Sequence, residues 1–248
     1  MTYCVAMLLD TGLVFLSDSR TSAGVDQINT FRKTMVFQKP GDRVLVLQSA
    51  GNLAITQAVT SILHEQMMIP DGVSSLLTCS NLFEAARLAG DALREVHRRD
   101  APALKDFGLE FNASLILGGQ IRGEVPRLFS IYAAGNFIEA TPETTYFQIG
   151  ESKYGKPIMD RVIRRSSSLS EGAKCALVSM DSTIRSNLAV GLPLDLVIVK
   201  RDRYAVARHM SIDSDDEYFH DLRDLWSEAL REAFARLPEP GWLRQPLS

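Results

Sequence analysis

A chain of 248 residues, 46% hydrophobic and 23% charged, with mean hydropathy near zero, has the composition of a soluble globular protein with one substantial core. A net charge of −3 and a pI of about 5.8 supply no basic surplus for nucleic acid, and no block of like charge forms an interaction tail. No stretch approaches the roughly 18 uncharged apolar residues that cross a bilayer, so neither a membrane nor a nucleic-acid partner is expected.

Residues 2–9 are apolar and β-rich, Asp10-Thr11-Gly12 is turn chemistry, and 13–17 is apolar again, which predicts two strands joined by a tight turn. Residues 34–38, Pro40-Gly41-Asp42 and 43–51 read as a second hairpin, whose unbroken apolar run suits a sheet buried on both faces. After Gly51 the period becomes helical, with Ile55, Val59, Ile62, Leu63 and Met67 on one face until Pro70. A second amphipathic helix is predicted over about 82–96, with Arg98-Arg99-Asp100 as its solvated end. Strand signals return at 111–117, 127–133 and 145–149, helical ones at 156–164 and 171–187, and a last hairpin spans 194–200 and 203–210.

From Asp213 the character changes. Four acids lead into Phe219, Leu222, Leu225, Trp226, Ala229, Leu230 and Ala233, an amphipathic helix with acids at its positive end, stopped by Pro238 and Pro240. Its wide apolar stripe fits core packing and a subunit contact equally well. The organisation predicted is an N-terminal domain over 1–212 and a C-terminal helix and tail over 213–248. Strands, two helices, strands, two helices, strands is the order of two sheets packed face to face with helices outside.

Cys4, Cys79 and Cys175 are odd in number and far apart, with neither metal-type spacing nor a disulfide framework, which predicts a reducing cytoplasm. The early apolar run lacks a basic n-region and is interrupted by Asp10 and Gly12, so it is not read as a signal peptide. His64, His97, His209 and His220 are scattered without ligand spacing and are expected to fill structural or surface roles.

Thr2 carries the chemistry. Aminopeptidases remove an initiator methionine before a small residue, which would leave a threonine with a free α-amine at the head of a buried strand. An α-amine has an unperturbed pKa of about 7.7–8.0, so near neutrality it can take the proton of the adjacent hydroxyl. The first hairpin returns the chain beside its own start, bringing Asp18 towards Thr2. Lys33 near the amine would lower its pKa, while Asp18 would keep the lysine charged. Gly51, between a strand and a helix, stands where backbone N–H groups favour an anion, the position of an oxyanion donor.

Thr2, Asp18-Ser19-Arg20-x-x-x-Gly24, Lys33 and Ser49-Ala50-Gly51-x-x-x-x-Thr56-Gln57 resemble the proteasome β-subunit family in order and approximate spacing, and the opening looks like its bacterial Anbu branch. The resemblance implies an α+β fold, the four-layer αββα sandwich of N-terminal-nucleophile hydrolases, with a C-terminal helical extension. It further implies threonine-dependent peptide hydrolysis without metal or organic cofactor, acting on peptides or unfolded proteins. Homo-oligomers, either rings or open helical assemblies, are implied as well, with no ATPase or adaptor specified. Carried over, Thr2 is the nucleophile, Asp18 and Lys33 the charge pair and Gly51 the oxyanion donor. Backbone of Ser22 and Leu53 would pair with substrate, with Thr21, Ser49 and Met35 near the specificity pocket. Asp181 matches the family's aspartate, while the family's following serine falls near Ile184 on simple spacing, so that Ser182, Ser186 or neither stands in for it. The family's Gly-Ser-Gly appears as Gly150-Glu151-Ser152, a departure at Glu151. Two alternatives stay open, an amidase for small peptide-like metabolites and an assembly protein without useful turnover.

Overall fold

The computed structural model describes residues 2–22, 28–69 and 74–244, and divides the chain into two compact units, Met1–Ser214 and Asp215–Ser248. The first unit opens with β1 (Tyr3–Leu9), β2 (Gly12–Asp18), β3 (Arg20–Ser22), β4 (Ile28–Thr30), β5 (Thr34–Lys39) and β6 (Arg43–Gly51). Helices α1 (Leu53–Met68) and α2 (Leu82–Asp106) follow, then β7 (Ala113–Ile121), β8 (Arg127–Ile131), β9 (Phe137–Glu139) and β10 (Tyr146–Gly150). Helices α3 (Lys156–Val162) and α4 (Leu169–Ser186) lead to β11 (Leu194–Lys200) and β12 (Val206–Ile212). The second unit contains α5 (Glu217–Ala235).

The strands form two antiparallel five-stranded sheets, ordered β10-β1-β2-β11-β12 and β5-β6-β7-β8-β9, with β3 and β4 as a separate pair. Alternation along β1 explains how the sheets stack. Cys4, Ala6 and Leu8 point into the core between the sheets, where they meet Val44 and Val46 of β6, Ile116 of β7 and Phe15 of β2. Met7 and Leu9 face the other way, close to Gly172 of α4. On the opposite sheet, Leu45 and Leu47 turn outward beneath α1 and α2, against Ile55, Val59, Leu63, Ala89 and Leu93. Each central strand is therefore buried on both faces, the physical reason for its unbroken apolar run. Helices outside two stacked sheets make the four-layer αββα sandwich.

Several element boundaries differ from the sequence reading. Helix α2 runs through Arg98-Arg99-Asp100 and Pro102 to Asp106, because its last turns continue in solvent after the apolar stripe has ended. The second strand of the final hairpin starts at Val206, since Asp202 and Tyr204 both take positive φ and prolong the turn. Helix α4 begins at Leu169 because Ser168 and Glu171 form a reciprocal capping box. Short strands β3, β4 and β9 carry too few residues to show a period of two.

Helix α5 starts at the cap Asp216, whose side chain accepts from the Phe219 N–H, and leaves Leu225, Leu230 and Phe234 exposed. Among the described residues no helix is long and apolar enough to cross a membrane.

Candidate active site

The first hairpin builds one wall. Its register pairs Cys4 with Ser17, so Asp18, one residue further, arrives beside Tyr3, whose backbone N–H donates to Asp18 Oδ1 at 3.0 Å. Lys33, immediately before β5, donates from Nζ to the same oxygen at 2.8 Å and to the Arg20 carbonyl at 2.6 Å. The Asp18 side chain is wholly buried and that of Lys33 only 7% exposed. Burial pushes the Asp18 carboxyl up from the usual carboxylate range, while the Lys33 ammonium and the Tyr3 N–H draw it back down. Two of the three ammonium donors are thereby used, in a lysine that lines the same cleft as Thr2.

The end of β10 builds the other wall. Gly150 pairs with Tyr3, and the Glu151 N–H donates to the Thr2 carbonyl at 2.7 Å. Only a glycine fits at 150, because its φ is +81° and an added Cβ would lie 2.0 Å from the Thr2 carbonyl oxygen. Behind this contact the Tyr3 hydroxyl lies 2.6 Å from Ser179 Oγ of α4 and accepts from Gln148 Nε2 at 2.5 Å. The Glu151 side chain is buried and accepts from Asn187 Nδ2 at 3.2 Å. The nucleophile candidate thus heads a strand that is fixed from both sides.

Gly51 closes the arrangement at the end of β6. Its φ is +119°, and a Cβ there would lie 2.3 Å from the Asn112 carbonyl oxygen. Asn52 follows as the cap of α1, accepting from the Ala54 N–H. Thr2 and Gly51 both line two cavities. One, of about 720 Å³, extends along α1 past Thr56 and Thr60 to His64; the other, of about 460 Å³, is lined by Asn112, Ser114 and Gly150.

Of the residues singled out in the sequence, Thr2, Thr21, Lys33, Met35, Ser49, Gly51 and Leu53 all line the larger cavity, with Asp18 buried behind Lys33. Thr21 Oγ1 is buried there without a hydrogen-bond partner among the described residues. Ser22 ends β3, opposite Ile28 of β4. Asp181 is buried on α4 and pairs with Arg185 Nε at 3.0 Å. Ser182 donates its hydroxyl to the Val178 carbonyl within the helix, whereas Ser179, on the face turned to β1, reaches Tyr3. Ser179, Arg32 and His64 were not singled out for the site in the sequence, yet Ser179 reaches Tyr3 and the other two line the larger cavity. Ser179 was legible as a member of the buried stripe that includes Cys175, Ala176 and Thr183, but Arg32 and His64 carried no signal beyond their charge.

Cys4 is completely buried, with Sγ 3.7 Å from the Ser49 carbonyl. Burial, reinforced by the nearby Asp18 charge, drives its thiol far above the usual range, so it stays protonated as a packing residue. Among the described residues no group of three or more His, Cys, Asp or Glu is placed to hold a metal.

No protein-family model matches the chain. The solved structure of Anbu (ancestral beta-subunit) from Yersinia bercovieri is 53% identical to it, with a TM-score of 0.90 over 96% of this chain and 98% of that one. The chain belongs to the Anbu branch of the proteasome β-subunit family. A second Anbu structure, described as a helical assembly of the Anbu complex from Pseudomonas aeruginosa, is 49% identical with a TM-score of 0.91 and covers 96% of this chain and 98% of its own. More distantly, the proteasome subunit beta of Haloquadratum walsbyi is 26% identical over 208 residues, 84% of this Anbu-type chain and 77% of the relative.

Proposed function

We propose that this Anbu-type subunit hydrolyses peptide bonds with Thr2 as an N-terminal nucleophile, once Met1 has been removed. The observation that carries this reading is the shared oxygen Asp18 Oδ1, which ties the Lys33 ammonium to the backbone N–H adjoining Thr2 at the floor of an open cleft. A cation held there favours the neutral form of a nearby amine and the developing charge on the threonine oxygen.

In the reaction the Thr2 hydroxyl oxygen attacks the scissile carbonyl carbon and its proton passes to the Thr2 α-amine. The Gly51 N–H donates to the resulting oxyanion. The amine then protonates the leaving nitrogen as the C–N bond breaks, leaving an ester on Thr2. Water hydrolyses that ester, with the amine again taking and returning the proton. The acyl side of the substrate occupies the larger cavity, in contact with Thr21 and Ser49, and the leaving side the smaller one. An extended substrate strand pairs with backbone at Ser22 and Leu53, and its polar groups satisfy Thr21 Oγ1. Asp181 acts from α4, whereas Ser182, whose hydroxyl is taken up by the Val178 carbonyl, gives way to Ser179, which reaches Tyr3 next to the nucleophile. No metal or organic cofactor takes part. Self-assembly, as in the Pseudomonas aeruginosa relative described as a helical assembly, would restrict access to peptides or unfolded chains, and the cytoplasm is the compartment this reading assigns.

The test is Thr2→Ala. Peptide hydrolysis should fall by more than about a thousand-fold while the assembly survives. Undiminished turnover by that variant in protein free of contaminating protease would remove Thr2 from the mechanism. Intact-mass measurement on the wild type should show loss of Met1 from the active population.

A further inference from the structure

The charge lining the larger cavity is one-sided. Arg32 and Lys33 both face it, His64 stands at its far end, and no carboxylate lines it among the described residues. Lys33 is already neutralised by the buried Asp18 beneath it. Arg32 is different: it is exposed and has neither an ion-pair nor a hydrogen-bond partner among the described residues. Its backbone is nevertheless held. The Phe31 N–H donates to the Ser19 carbonyl at 2.9 Å, and the Lys33 carbonyl accepts from the Ser49 N–H at 3.0 Å, so Arg32 is presented from a segment fixed at both flanks.

The rest of the lining supplies what a short acidic side chain needs. Met35 and Leu53 offer apolar surface to methylene groups, while Ser49, Thr56 and Gln57 offer neutral polar groups. His64 adds no negative charge: its Nδ1 donates to the Thr60 carbonyl, which leaves Nε2 as an acceptor in the neutral ring. An anionic group entering the cavity meets a guanidinium with unused donors and no opposing carboxylate, whereas a cationic one meets uncompensated positive charge.

We propose that this cleft selects substrates carrying glutamate or aspartate at the residue whose carbonyl is attacked, with Arg32 as the counter-ion that sets this specificity. The inference rests on Thr2 being the nucleophile.

The experiment uses the full-length assembled protein and peptide epoxyketones, electrophiles that need a free α-amine and its neighbouring hydroxyl. Two probes differ only in glutamate against glutamine at the reacting residue. The wild type should be labelled on Thr2 about five- to tenfold faster by the glutamate probe, the range of a partly exposed charge-assisted contact. The preference should shrink between about 0.05 M and about 1 M salt. Arg32→Gln should equalise the two probes by slowing the glutamate one alone, and Arg32→Lys should restore part of the difference. Equal labelling of the wild type by both probes, or an undiminished preference in Arg32→Gln, overturns the specificity assignment while leaving Thr2 as nucleophile. Failure of every probe to label Met1-processed wild type overturns both.

Discussion

Lys33 Nζ and Asp18 Oδ1 are 2.8 Å apart, and neither side chain has appreciable contact with water. A pair so withdrawn is costly to assemble and more costly to leave half-made, because a lone buried charge has nothing to replace its hydration.

Removing one partner should therefore damage both fold and activity. Lys33→Ala is expected to lower unfolding free energy by about 3–5 kcal/mol, whereas Asp18→Asn combined with Lys33→Met should recover most of it. Neither variant should hydrolyse peptides or accept a threonine-directed electrophile. Denaturant titration beside labelling separates the two effects. A double variant that regains labelling along with stability would show the pair to be structural only.

The pH dependence follows from the burial of Asp18. Its folded-state pKa is raised, so the fold favours the protonated carboxyl relative to the unfolded chain. On its own this group contributes stability at pH below the unfolded value, and that contribution is lost as pH rises through the raised folded value. Activity runs the other way, since the lysine needs the ionised partner. The Thr2 amine sets the first acid limb of the kcat/KM profile, and a second limb, from Asp18, should lie above the pKa of about 3.9 of a free aspartate. A second limb at or below that value would contradict the assignment.

Gly150→Ala tests the contact that positions the nucleophile. A Cβ there would press on the Thr2 carbonyl oxygen, and the backbone would hold a left-handed φ at a cost of about 1–3 kcal/mol. Shifting Thr2 by an ångström is expected to slow its labelling by about a hundredfold. Near-wild-type labelling would mean that β10 does not set the position of Thr2.

Much of this arrangement is legible in the amino-acid sequence. The Asp10-Thr11-Gly12 turn dictates the register that sends Asp18 back beside Tyr3, and the unbroken apolar runs of β1 and β6 announce strands covered on both faces. What stayed hidden depends on facing rather than on composition. Simple spacing points to Ile184 and leaves Ser182, Ser186 or neither as the supporting serine, yet helical rotation turns Ser179 to the strand and leaves Ser182 bonded to its own helix. Solvated turns of α2 continue beyond its apolar stripe, so hydrophobic period alone ends that helix too soon. Arg32 shows its place only when β5 and β6 close the cleft, since a lone arginine beside a lysine reads as ordinary surface.

The hydrogen bond from the Glu151 N–H to the Thr2 carbonyl also bears on maturation. The anchor directly follows β10, more than a hundred positions downstream, so the Thr2 carbonyl is held by a distant part of the chain. Clipping the leading residue would expose a reactive group already in register. Activation would then be limited by the trimming aminopeptidase and its access to the chain's beginning, with no refolding step to follow.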